Sequence, residues 1–284
     1  MDQNLSKHAG DLRELLLDAA LRILAEEDTP LGLRKVAERA GKSRTAPYLV
    51  FGQKQDGGGL TGLKLAVATR GTNLLRSAIL SKISSIADPR ESLEQATKAF
   101  LSFANENPRL FRLMFGPEVA EISTRSVEDS PKELNPLELI KEQPELEYLV
   151  EARTRLETVL KNLIEECQEA GYLPDSDLKE TLLTVARGWM SLHGTASLML
   201  DPVYRSFVPL TLNDFTGLAI GAILGPSTAD DGMRDAAIYL LAAQRLREVT
   251  DTMLLDDSPS PALASPLAQD DDHIQDDFLA SSWK

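Results

Sequence analysis

Basic residues are concentrated in one short stretch near the amino end of the chain. Between Thr29 and Gln55, six basic side chains are opposed by a single acid, Glu38, whereas the whole 284-residue chain has a formal charge of -14. A phosphate backbone attracts such a patch through counterion release. On charge alone, an ordinary solvated basic surface explains the stretch equally well. The basic residues are Arg34, Lys35, Arg39, Lys42, Arg44 and Lys54.

Apolar spacing within this stretch predicts two short helices joined by a tight turn. Four apolar residues between Leu33 and Ala40 follow the i, i+3, i+4, i+7 spacing of a helix with one apolar face. Gly41 suits the positive φ that ends a helix, and Ser43 is predicted to cap a second helix over about residues 44–51. Two helices joined by a short turn containing Gly form the DNA-binding helix-turn-helix, whose second helix enters the major groove.

The same residues resemble the DNA-binding signature of the TetR (tetracycline repressor-like) regulators. An upstream helix, predicted to begin at the capping pair Asp11 and Glu14, extends the resemblance over about residues 11–56. The positions that match the family within VAERAGKSRTAPYLVFGQK are Val36, Ala37, Ala40, Gly41, Ser43, Tyr48, Phe51 and Lys54.

The basic charge and the resemblance together imply a DNA-binding surface. Arg44, Thr45 and Tyr48 are expected at base edges or flanking phosphates. Ser43 and Lys54 are expected on backbone phosphates, where they set the register of the protein on the duplex. The full predicted set is Arg34, Lys42, Ser43, Arg44, Thr45, Tyr48 and Lys54.

Three features depart from the family pattern. Lys42 stands where the family usually has an apolar residue, and Val50 where a His or Tyr commonly touches phosphate. Glycines 57–59 lie where the long fourth helix usually starts, and each costs roughly 1 kcal/mol in a helix interior. The sequence therefore predicts a fourth helix from near Thr61 and a loose coupling between head and body. An alternative function follows: a diverged helical dimer that no longer binds DNA and acts as a ligand- or protein-binding module.

The body is predicted to be a helical ligand-binding and dimerisation domain over residues 60–250. AFLSFANENPRLFRLMFG and WMSLHG resemble the ligand-binding body of a TetR subgroup, which carries the resemblance to about residue 200. The resemblance implies a small, mainly apolar effector, although ordinary packing explains each residue singly just as well. The predicted ligand-binding residues are Phe103, Phe111, Met114, Phe115, Trp189 and His193.

Two strong helices in the body, over residues 145–170 and 177–200, are predicted on apolar spacing, with Gly71 as a mild interruption of an earlier helix. In the family the last two helices of each subunit pair with their copies, so these two are the candidate homodimer interface. Ordinary core packing is the alternative. A Pro-rich acidic segment over about residues 123–147 is predicted to be a loop.

The overall prediction is an all-α protein. A helix-turn-helix head over residues 1–56 precedes the body, and an acidic tail over residues 251–284 is predicted to be disordered. The tail is interpreted as a solubilising segment, with an electrostatic decoy competing with DNA as the alternative. The predicted function is a repressor that binds a palindromic operator as a homodimer and is released by its effector.

Several other function classes are excluded on sequence. Three scattered histidines, one cysteine and the lack of Walker, dinucleotide-binding and Gly-x-Ser-x-Gly motifs predict no enzyme, no metal site and no cofactor. Cys167 is expected to be a half-buried helical thiol. No apolar run reaches membrane-spanning length, so the sequence predicts a cytoplasmic protein without a membrane partner.

Overall fold

The computed structural model describes residues 2–26, 29–52, 58–117, 119, 144–207 and 210–224. These residues form α-helices and no strands, which confirms the predicted all-α class. The helices are α1 (Asp2–Glu26), α2 (Leu33–Arg39), α3 (Ala46–Phe51), α4 (Gly58–Ile83), α5 (Pro89–Glu106), α6 (Pro108–Phe115), α7 (Pro144–Glu169), α8 (Leu178–Leu200), α9 (Pro202–Phe207) and α10 (Leu212–Leu224).

Helix α4 lies at the centre of the arrangement. It packs against α1, α2 and α3 on the head side and against α5, α6 and α7 on the body side. One apolar core runs through both regions, with Ile23 and Val36 buried in the head and Leu75 and Phe100 buried in the body. Helix α8 packs on α5, α7 and α10 at the far side of the body.

Helix starts account for several differences from the sequence prediction. Helix α1 begins at Asp2 and not at the predicted capping pair. The carboxylate of Glu14 instead faces Arg70 of α4 at 3.4 Å. Helix α5 begins at Pro89, two residues before the predicted start, because the Asp88 side chain accepts a hydrogen bond from the Glu91 amide at 2.8 Å.

The fourth helix begins at Gly58, so the predicted start near Thr61 was wrong. Propensity counts glycine only as a cost, whereas here the missing Cβ atoms allow close helix packing. The predicted interruption at Gly71 was also wrong, since α4 continues through it. A Cβ at Gly71 would lie 2.6 Å from Met114 Sδ, so this glycine lets α6 approach α4 closely.

Helix α7 begins at Pro144, inside the segment predicted to be a loop, and the remainder of that segment lies outside the described residues. Gly171, with φ +77°, ends α7 as predicted. Cys167 is fully buried and not half-buried, and burial raises the pKa of its thiol to about 11. The predicted acidic tail lies outside the described residues.

Candidate functional site

The turn between α2 and α3 is closed by a specific hydrogen-bond pattern. The Lys42 amide donates to the Ala37 carbonyl at 2.9 Å, and the Gly41 amide donates to the Glu38 carbonyl at 3.1 Å. With Gly41 at φ +65°, this is a Schellman motif, which satisfies the last carbonyls of α2. The departure at Lys42 is therefore accommodated, because its backbone closes the turn while its side chain is exposed.

Helix α3 is held by its inner face. Ala46, Pro47 and Phe51 are buried, as predicted. The predicted Ser43 cap was wrong, since Thr45 occupies the N-cap position and makes no side-chain capping bond. The Ser43 carbonyl accepts from the Ala46 amide at 3.0 Å, so the backbone of the turn supplies the partner that a capping hydroxyl would have provided.

The turn presents one continuous polar surface. Lys42, Ser43, Arg44 and Thr45 are exposed and adjacent in sequence, and neither Lys42 nor Arg44 forms an ion pair within the described ranges. Ser43 Oγ and Thr45 Oγ1 lie 3.0 Å apart. This surface therefore offers two cations and two hydroxyls to solvent.

The other predicted DNA contacts differ from this surface. Arg34 Nε donates to Glu38 Oε1 at 2.9 Å, and this bond, followed by the charges of Arg34 and Arg44, lowers the pKa of Glu38. Tyr48 is half-buried, and its ring lies against Gly59 at the start of α4. Lys54 lies outside the described residues. Sequence analysis missed Leu49, which is 80% exposed on the outer face of α3.

Two glycines of α4 bring the head against the body with little space to spare. A Cβ at Gly59 would lie 2.9 Å from both the Leu33 and the Tyr48 side chains. A Cβ at Gly62 would lie 2.3 Å from the Phe51 carbonyl oxygen, which is backbone and cannot rotate away. The prediction of loose coupling was therefore wrong for this contact, because the glycines allow α4 to pack closely against α2 and α3.

Five rings form an aromatic cluster in the body. His193 of α8 lies with its ring centroid 4.3 Å from that of Phe115 and 4.6 Å from that of Trp189. Phe100 packs edge-on against Trp189 at 5.9 Å, and Phe111 lies 5.0 Å from Phe115. Such offset and edge-to-face contacts are the favoured aromatic geometries. We call these five residues (Phe100, Phe111, Phe115, Trp189 and His193) the aromatic cluster.

The aromatic cluster forms one wall of a cavity of about 370 Å³ between α6 and α8. Phe111, Phe115 and His193 face this cavity. Met114 is fully buried beneath it, against Gly71. The remaining lining residues are Arg112, Gly116, Ser197, Leu200, Asp201 and Pro202.

Phe103 lines a different cavity, of about 460 Å³, beside Lys82, Lys98 and Glu106. Its inclusion with the other five predicted ligand residues is not supported by the geometry. It shares helix α5 with Phe100, and it is Phe100 that joins the aromatic cluster. One-dimensional spacing does not distinguish two aromatic residues three positions apart on a helix that is buried on most sides.

The His193 imidazole has an unusual polar environment. The residue is half-buried, but its Nε2 atom is inaccessible and has no hydrogen-bond partner among the described residues. Burial, followed by the nearby charge of Arg153, lowers the pKa of His193 to about 4. The imidazole is therefore neutral near pH 7. An unpaired buried polar atom costs about 1–3 kcal/mol, so the ring is not explained by packing alone.

Three arginine contacts hold α6 in place. The Arg109 guanidinium donates to the Ile23 carbonyl at 3.1 Å, and to the Thr29 carbonyl, at the end of α1. Arg112 Nη2 donates to the Leu200 carbonyl at 2.8 Å, and Arg153 Nη2 to the Met114 carbonyl at 2.6 Å. Helix α6 thus contacts the head, the cavity and α4 at once.

No group of His, Cys, Asp and Glu suited to a metal ion is found in the part of the chain that the structure describes. Within the same ranges, no helix is long and apolar enough to cross a bilayer.

A helical head carrying an exposed basic turn, joined by one long helix to a body with an apolar cavity, is the architecture of a one-component regulator. Residues 93–215 match the family model described as "Tetracyclin repressor-like, C-terminal domain". The predicted resemblance is thus confirmed, and the chain belongs with the TetR-family transcriptional regulators. No curated protein matches the chain at a significant level.

Solved structures share the fold. A protein of unknown function from Rhodococcus sp. RHA1 superposes with a TM-score of 0.52 at 21% identity, over 75% of this chain and 93% of that chain. The TetR family transcriptional regulator PfmR from Thermus thermophilus matches with a TM-score of 0.47 at 19% identity, over 74% of this chain and 96% of that chain.

Proposed function

We propose that this chain is a DNA-binding repressor that binds a palindromic operator as a homodimer and is released by a small, mainly apolar effector. The observation that carries the proposal is the exposed surface of Lys42, Ser43, Arg44 and Thr45 at the start of α3. Two copies would place their α3 helices in successive major grooves, with half-sites about one helical turn apart.

The charges of the head support DNA contact more sharply than its overall basicity. Arg34 and Arg39 are engaged with Glu38 and Glu26, at 2.9 Å and 2.6 Å respectively. Lys42 and Arg44 form no such pair within the described part of the chain and are therefore available to phosphates and base edges. Leu49 adds an exposed apolar side chain on the same short helix, suited to a thymine methyl group.

Substitutions in the turn test DNA binding. Arg44→Ala should cost about 1–3 kcal/mol on the best operator and relax its specificity, whereas Lys42→Ala should weaken all sequences alike and lower the salt slope by about 1. Both are measured by mobility shift against the DNA upstream of the chain's own gene, at two salt concentrations. Lys82→Ala removes an exposed body lysine and should change neither quantity. Equal binding by all three variants and the unchanged protein would count against the assignment of α3.

The alternative of a diverged module without DNA binding rested on Lys42, Val50 and the triple glycine. Lys42 is exposed without disturbing the turn, and Val50 packs in part against the core. Gly58 and Gly59 lie within α4. These departures leave the head folded, so they do not favour the alternative. Sequence-independent loss of binding in the same mobility-shift experiment would favour it.

An exposed apolar stripe on α8 supports the homodimer. Leu183 is 49% exposed and Met190 65% exposed, and Ala186 and Gly194 lie between and beyond them on the same face. A contiguous exposed apolar face is typical of an interface, and two-fold pairing of one helix with its copy is self-complementary. The exposed side of α7 is mainly charged, so α8 is the stronger candidate of the predicted pair.

Introducing a charge tests this interface. Met190→Glu should convert the dimer to a monomer in sedimentation analysis, because a buried carboxylate without a partner is strongly unfavourable. Val150→Glu is the matched control, since Val150 is an exposed apolar residue on α7. A dimer that tolerates the charge at 190 but not at 150 would transfer the interface to α7.

The cavity and the arginine contacts of α6 support release by a ligand. A molecule between α6 and α8 would press on Phe111 and Phe115, while Arg109 of the same helix holds the end of α1. Movement of α6 would therefore change the position of the head. A near-complete switch requires a preference of about 10⁴-fold for the non-binding form.

A further inference from the structure

The aromatic cluster separates the 370 Å³ cavity from a second, inner void. Trp189 and Phe100 line the inner void, whose other lining residues are apolar apart from Thr97. His193 faces the outer cavity, yet its Nε2 atom is inaccessible and lacks a hydrogen-bond partner within the described ranges. An uncompensated polar atom at the edge of an apolar cavity suggests that its partner is a molecule that enters the cavity.

We propose that the body binds an uncharged aromatic molecule bearing a hydroxyl group, and that this hydroxyl hydrogen-bonds to Nε2 of His193. The inference rests on the proposed function, because it identifies the chemical class of the effector. His193 is then the residue that determines specificity, while the remaining rings supply contact area.

The aromatic part of the ligand follows from the lining. Phe111, Phe115 and His193 present rings to a volume of about 370 Å³, which lies within the usual range of small-molecule sites. The rings of the aromatic cluster meet edge to face, with interplanar angles of 81° for Phe115 and His193 and 80° for Phe115 and Trp189. A flat ring inserted there would extend the same packing geometry.

The hydroxyl follows from the state of the imidazole. A neutral imidazole nitrogen is either a donor or an acceptor, depending on the tautomer, and a hydroxyl satisfies either because it can both donate and accept. The pKa of His193 is lowered by burial and by Arg153, so the ring stays neutral over the pH range in which the protein works.

The charges around the cavity disfavour an ionised ligand. Arg153 of α7 stacks over the Phe115 ring at 5.7 Å, and Arg112 of α6 lines the cavity, so a cation would be repelled. Asp201 lines the opposite side, and Arg153 Nη2 is already bonded to the Met114 carbonyl, so an anion gains no unoccupied counter-ion from that donor. Burying either charge without a partner is costly.

Access to Nε2 requires a ring to move. Phe115 is half-buried, lines the cavity and lies closest to His193 within the aromatic cluster. It is the C-terminal residue of α6. A hydroxyl that reaches His193 must therefore displace the end of the same helix that contacts the head through Arg109.

Matched probes test the inference by equilibrium dialysis with the full chain. The probes are 2-naphthol, naphthalene, 2-naphthoate and 2-naphthylmethylammonium. We expect 2-naphthol to bind about three- to tenfold more tightly than naphthalene, the range for one net hydrogen bond, and both ions to bind more weakly. His193→Phe should abolish the preference for 2-naphthol, and His193→Gln should retain part of it.

Thr97→Val is the control, because it removes another unpaired buried polar atom that lines only the inner void. It should leave the ratio of the two affinities unchanged. Equal binding of 2-naphthol and naphthalene, tightest binding by 2-naphthoate, an unchanged ratio in His193→Phe, or no binding of any probe would each overturn the inference. Operator binding by the unliganded chain, measured by mobility shift, reports separately on the proposed function.

Discussion

The head and the body of this protein are packed in opposite ways. At the head, α4 approaches so closely that a single methyl group at Gly62 would lie 2.3 Å from a backbone oxygen of α3. In the body, a cavity of about 370 Å³ lies beside α6, and polar atoms of His193 and Thr97 remain unpaired among the described residues. Close packing transmits displacement, whereas a cavity with unsatisfied groups admits a ligand. The contrast suits a molecule in which one region senses and the other is moved.

The largest expected effect comes from filling the tight contact. Gly62→Ala should destabilise the protein by about 2–3 kcal/mol, because overpacking forces backbone displacement, and it should also weaken operator binding by displacing α3. Urea unfolding and a mobility shift measure the two effects. Gly217→Ala on α10 is the matched control, since a Cβ there meets no described atom within 4 Å.

The control should be neutral or stabilising by up to about 1 kcal/mol, because alanine is the better helix former. Similar stability for both variants would show that the head tolerates separation from α4. In that case the close packing described for the head would not be essential to it.

A second prediction concerns the pH dependence of the body. The pKa of His193 is lowered from 6.5 to about 4 in the folded protein, by burial and then by Arg153. The unfolded chain therefore binds a proton first as pH falls, so this contribution to stability is full above pH 6.5 and is lost toward pH 4. Between pH 7 and pH 5 the loss should be about 2 kcal/mol.

His193→Phe should remove this part of the pH dependence, and the remaining slope then belongs to the carboxylates and the other histidines. The measurement is the free energy of unfolding in urea at pH 7 and pH 5 for both proteins. Parallel profiles would mean that the imidazole is solvated or hydrogen-bonded in solution, and the proposed role of Nε2 would lose its basis.

The two regions also differ in how far the sequence predicted them. The helix-turn-helix was predictable because its determinants are local: Gly41 ends α2 with positive φ, and the buried residues of α3 follow within ten positions. The close packing of Gly59 and Gly62 was not, since propensity is blind to what approaches a glycine from elsewhere. Likewise Phe100 and His193 meet across 93 positions, and only the folded chain distinguishes Phe100 from Phe103.

The smallest expected effect tests whether the two regions communicate through α6. Arg109 and Arg112 lie three residues apart on α6 and each donates to carbonyl groups at a helix end: Arg109 to Ile23 of the head, and Arg112 to Leu200 of the body. Substituting either by Met should cost about 1–2 kcal/mol of stability, since charged donors are lost from carbonyl groups.

The two variants should differ in function while they agree in stability. Arg109→Met frees the end of α1 from α6, so bound 2-naphthol should lower operator affinity less than it does in the unchanged protein. Arg112→Met leaves that connection intact and should respond to the probe as before. A mobility shift with and without 2-naphthol measures the response, and an equal response in both variants would mean that α6 moves the head through α4 and Gly71 instead. That outcome would assign the coupling to the close glycine contacts that distinguish the head from the body.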